Sequence, residues 1–97
     1  MARPRTSKSY AEDKASLIAR LNRIEGQARG ISRMVEEDRY CVDVLQQIAS
    51  LRSAADAVAQ ILLEDHIRGC VMEGVRAGDG NAHVGEVMEV IRRYVRS

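Results

Sequence analysis

Apolar residues recur along this chain at steps of three and four, and the pattern breaks twice. Leu17, Leu21, Ile24, Ala28, Ile31 and Met34 form one such stripe, which predicts an amphipathic helix from about Ala11 to Glu37. The acidic stretch Glu36, Glu37 and Asp38 ends it. Val44, Ile48, Leu51, Ala55, Val58 and Leu62 then start a second period that continues toward His66 and Cys70, with no Gly or Pro in residues 40 to 68. Gly78, Asp79, Gly80 and Asn81 predict a turn in which Asn81 serves as N-cap. Val84, Val87, Ile91 and Tyr94 define a short third helix. The chain therefore reads as all-α with three helices.

A second helix of that length has to pack along its whole extent. Antiparallel pairing with the first helix and with a second chain would supply the surface. The small residues Ser53, Ala54, Ala55, Ala57 and Ala59 stand near its middle, where two helices could approach closely. Gly26 and Gly30, four apart on the first helix, also suggest close approach of another backbone. The first dozen residues hold the only proline and no apolar period, so residues 1–12 read as a flexible basic arm and residues 13–97 as one helical domain.

Composition sharpens this picture. At 97 residues, with three Tyr and no Phe or Trp, the chain has a small aliphatic core and a strong reason to oligomerise. No apolar run reaches membrane length and no signal-peptide pattern is present, which points to the cytoplasm. The formal charge of +1 hides an asymmetry. Residues 1 to 33 carry eight basic and three acidic side chains, whereas residues 34 to 75 carry three basic and eight acidic ones. Thirteen of the fifteen cations are Arg, whose planar fork suits phosphate and base edges. A basic first third, repeated around a symmetric oligomer, would form a footprint for nucleic acid.

The candidate chemistry lies in Cys41, His66 and Cys70, which include both cysteines of the chain and one of its two histidines. His66 and Cys70 are i and i+4 and share a face if the second helix is α throughout. Cys41 lies 25 residues from His66, about 37 Å along a continuous helix. One chain therefore cannot close a site from these three, whereas an antiparallel pair would close two by symmetry. Two thiolates and an imidazole are a soft donor set that favours Cu(I), with Zn(II) or Ni(II) as competitors. Three ligands suit trigonal Cu(I) better than four-coordinate structural zinc. An enzyme using Cys41 as nucleophile and His66 as base is the rival class, but no constellation completes an active site.

The run RLNRIEGQARGISRMVEEDRYCVDVLQQI (Arg20 to Ile48), followed by LLEDHIRGCV (Leu62 to Val71), resembles the CsoR family of metal-sensing transcriptional repressors, in particular its copper-sensing branch. The similarity extends from about residue 14 to residue 95. It implies a three-helix subunit, an antiparallel four-helix-bundle dimer and a flat tetramer with no helix-turn-helix. It also implies that the metal-free protein binds operator DNA and that Cu(I) releases it.

By position, Cys41 would come from one subunit and His66 and Cys70 from its partner, with Tyr40 and Glu86 connecting the bound imidazole to the fold. Arg20 matches a family position for DNA binding, and Arg23 and Arg52 are its basic neighbours. Another basic position of some relatives is Ala57 here. Nickel- and cobalt-sensing relatives use an N-terminal His where this chain has Ser9, and formaldehyde- and persulfide-sensing relatives lack the counterparts of Cys70 and His66 respectively. A thiol-reactive repressor of the same family, or a helical copper buffer without a DNA partner, are the alternatives.

Overall fold

The computed structural model describes residues 9–71, 76, 78 and 80–96. Among them every regular element is helical. A short 3₁₀ helix, Ala11–Asp13, leads into α1, Lys14–Glu36. α2 spans Cys41–His66 and passes into a π-helix, Ile67–Val71. α3 covers Gly80–Arg96. The flexible arm expected over residues 1–12 falls largely outside the described residues. Its described part, residues 9–12, is a turn entering the 3₁₀ helix.

Two compact units divide the chain. The first is Asp13–Ile61, the α1–α2 hairpin. α1 ends in a Schellman motif: Arg39 N–H donates to Met34 C=O at 2.9 Å and Asp38 N–H to Val35 C=O at 3.1 Å. This satisfies carbonyls that a helix end leaves orphaned. Asp38 takes the left-handed position with φ 56°, where glycine is the usual occupant because it has no Cβ to clash. The carbonyl of Tyr40 accepts from Val44 N–H at 3.2 Å and opens α2. Gln27 Nε2 donates to Ser50 Oγ at 3.4 Å. Those two residues are equally distant along the chain from the middle of the turn, as an antiparallel hairpin requires. Leu17 of α1 and Val58 of α2 are the buried side chains of this unit.

The second unit holds residues 9–12 and the described residues from Leu62 onward. Here the π-helix packs against α3, and Val87 is buried. Gly78, before α3, takes φ 86°.

Three expectations change. α2 does not remain α-helical to Cys70; the ladder widens at Ile67. Gly69 contributes to that widening, because glycine lowers the preference for a regular α turn by about 1 kcal/mol. α3 begins at Gly80, so Asn81 lies in its first turn rather than at the N-cap. Finally, a Cβ added at Gly26 or Gly30 would meet nothing within 4 Å among the described residues, so the close approach expected there would have to come from another chain.

The buried apolar core of the described residues consists of Leu17, Val58 and Val87. Large apolar side chains elsewhere stay exposed, Leu45 at 57% and Ile48 at 44% among them. The exposed faces are surfaces that an assembly would cover.

Candidate metal centre and nucleic-acid interface

α2 positions two of the three donors by its limits alone. Cys41 is its first residue and His66 its last, so they stand at opposite ends of one 26-residue helix. Cys41 belongs to the hairpin unit, and its thiol is free and exposed. His66 is half-buried and belongs to the C-terminal unit. Cys70 follows within the π-helix, and its side chain lies outside the described residues. The step from His66 to Cys70 thus crosses from α to π geometry, in which positions four apart still fall near one face because the turn is wider than an α turn. π turns are rare and occur most often at functional sites. Among the described residues no three potential metal donors converge within the chain.

The donor chemistry nonetheless fits a soft metal. Cys41 offers an accessible thiol, unencumbered by a disulfide, and His66 offers an imidazole at the mouth of a widened turn. Gly69, on that turn, is met closely by Ser9: a Cβ at Gly69 would lie 3.0 Å from Ser9 Cβ and 3.3 Å from Ser9 Cα. The N-terminal segment thus passes directly beside the residue preceding Cys70, a neighbour that the sequence pattern did not reveal. Tyr40 precedes Cys41 and is 69% exposed. Glu86 is exposed on α3, the helix that packs against the π segment.

The basic candidates lie on the hairpin. Arg20 and Arg23 are exposed on α1 and, three residues apart, project from one face. Arg29 donates through Nη2 to Glu25 Oε1 one turn back, so its charge is locally engaged. Arg52 is exposed on α2. No helix among the described residues is long and apolar enough to cross a membrane.

An all-helical chain with soft donors divided between the ends of one helix, and with an arginine-bearing helix beside it, defines a helical metal-responsive regulator. The sequence profile described as "Metal-sensitive transcriptional repressor" matches residues 13–93, and the chain belongs to that family. It is 45% identical over 87 residues to the copper-sensing transcriptional repressor CsoR of Bacillus subtilis (strain 168), covering 90% of this chain and 86% of that one. It is 46% identical over 90 residues to the copper-sensing transcriptional repressor RicR of Mycobacterium tuberculosis (strain ATCC 25618 / H37Rv), covering 91% and 94%.

Among solved structures it is similar to the copper-sensing repressor CsoR with Cu(I) from Geobacillus thermodenitrificans NG80-2. The TM-score is 0.82 at 39% identity, over 97% of this chain and 94% of that one. It also resembles the nickel-responsive transcriptional regulator InrS, with TM-score 0.70 at 34% identity, over 97% and 99%. The family expected from the sequence and the all-helical fold are both borne out. The relatives are regulators of transcription rather than enzymes.

Proposed function

We propose that the protein is a Cu(I)-responsive transcriptional repressor: the metal-free form binds operator DNA, and Cu(I) releases it to derepress copper-homeostasis genes. The observation that carries this reading is the division of donors along α2, Cys41 at one end and His66 at the other. A thiolate from one subunit meets the imidazole and second thiolate of another, giving two sites per antiparallel dimer. Cys41, His66 and Cys70 hold the metal as soft ligands. Glu86 accepts the remaining imidazole N–H of His66 and, with Tyr40, ties the site to the fold. The copper-sensing relatives support this choice of metal over nickel.

The dimer doubles into a tetramer that works in the cytoplasm. Arg20 and Arg23 neutralise phosphates of the operator, so affinity falls as salt rises. Arg52 lies on the Cys41 face of α2. Linkage makes the response reciprocal: if copper lowers DNA affinity, DNA lowers copper affinity by the same factor.

The test is an anaerobic Cu(I) titration of the reduced protein against a competing chelator, with promoter DNA binding followed in the same samples. One tight Cu(I) per subunit with loss of DNA binding is expected. Tight copper without a DNA effect identifies a buffer. Absence of tight copper identifies a thiol-reactive repressor, a reading to which the exposed Cys41 thiol lends itself. Arg20→Ala should leave copper binding intact, weaken operator binding and reduce the salt slope by about one.

A further inference from the structure

The Cys41 face of α2 carries a charge pattern that the metal site does not use. At 3.6 residues per turn, Leu45, Ile48, Arg52, Ala55, Asp56 and Ala59 all lie within roughly 60° of Cys41 around the helix axis. The same period carried to the last residue of α2 puts His66 on that stripe as well. Its large apolar members Leu45 and Ile48 are exposed on the chain by itself. Arg52 and Asp56 are the charged residues of this stripe between the two ligands, and they stand at its middle.

We propose that Arg52 and Asp56 set the register of the subunit contact: Arg52 pairs with the partner's Asp56, twice about the two-fold axis, and thereby holds Cys41 against the segment carrying the other two ligands. This rests on the intersubunit reading of the metal site. In an antiparallel two-fold pair, opposed residues are equally distant from the axis. An axis at Ala54 puts Arg52 opposite the partner's Asp56, and the same axis puts Cys41 opposite the partner's Ile67, between the remaining ligands.

Two separate demands, charge pairing and ligand convergence, thus select one axis. The wrong registers are penalised. Moving the axis by two residues, which slides the helices by about one turn, brings Arg52 against Arg52 at one setting and Asp56 against Asp56 at the other. The small residues around the axis would fit any of these settings. Discrimination therefore falls to the charges, as polar residues on otherwise apolar helix seams fix register elsewhere.

Arg52 and Asp56 are also i and i+4 on one helix, so the test must separate a pair within the helix from a pair between subunits. Arg52→Asp and Asp56→Arg are made as two separate variants and compared, reduced and metal-free, by sedimentation equilibrium. Each alone sets like charges across the axis, and its dimer should be about 10- to 100-fold weaker than wild type. Mixed in equal amounts, the two chains carry opposite charges across both contacts while each helix keeps its own like-charge clash. The mixed dimer should recover to within about threefold of wild type. If a variant does not fold alone, co-expression with one chain tagged gives the same comparison. Single variants as tight as wild type, or a mixture no tighter than its components, would overturn the assignment. Complementation by the mixture, with no Cu(I) bound by wild type, would remove the copper reading and leave the register pair standing.

Discussion

The two ends of α2 are built differently. Cys41 starts a regular helix that follows a fully bonded Schellman turn, inside a hairpin whose α1 and α2 keep an unbroken α period. His66 closes that period, and the chain widens at once into the π segment, with Ser9 against Gly69 and α3 alongside. Regular helix resists deformation because every backbone group has its partner. A π turn interrupts that regular ladder and is frequent at functional sites. In the proposed site, one donor would stand at the start of a regular helix and the others at its irregular end. That asymmetry suits a site that must turn binding into a change of shape.

The largest expected effect breaks the comparison at both ends together. Cys41→Ser and His66→Ala should each lower Cu(I) affinity by more than about 100-fold, since loss of an outer partner alone costs 10- to 100-fold. Operator binding by the metal-free protein should survive. An equimolar mixture should regain about a quarter of the wild-type sites, because half the dimers are mixed and each has one complete donor set. A site within one chain would regain none, and chelator competition reads the difference.

Next in size is the firmness of the hairpin. Leu17→Ala should destabilise the metal-free protein by about 2–3 kcal/mol, seen as a lower melting temperature at fixed protein concentration. A shift no larger than that of an exposed leucine such as Leu21→Ala would mean that the hairpin core is not where stability resides. The smallest effect sharpens the scaffold end. Asp38→Gly should raise stability by about 0.5–1 kcal/mol by removing the cost of φ 56° from a residue with a Cβ, with Cu(I) affinity unchanged.

The regular hairpin was legible in the sequence and the irregular end was not. Leu17 and Val58 belong to periods that any helical reading finds, and Cys41 stands where the second period opens. Asp38 concealed the Schellman turn, since glycine is its common signal and the bonding, not the residue type, defines it. The π-helix depends on backbone hydrogen bonds one residue longer than the α pattern. The apolar spacing through Leu62 says nothing about that change. Gly69 gave a weak hint, but its reading required knowing that Ser9 comes from 60 residues earlier to lie against it. Gly26 and Gly30 show the converse: their spacing is plain, while the described residues bring nothing near them.

The core of Leu17, Val58 and Val87 has a consequence for the cell. If a second copy covers the exposed faces of α2, as proposed, folding and assembly would be coupled and concentration-dependent. A newly translated copy would then gain both its durability and its sensing competence on meeting another. The copy number of the regulator would then be part of its calibration, since diluting the protein would remove functional sites faster than it removes molecules. On the proposed intersubunit reading, only a copy lacking the donors at both ends of α2 would spoil its partner's sites, whereas a copy lacking one donor would still complete one.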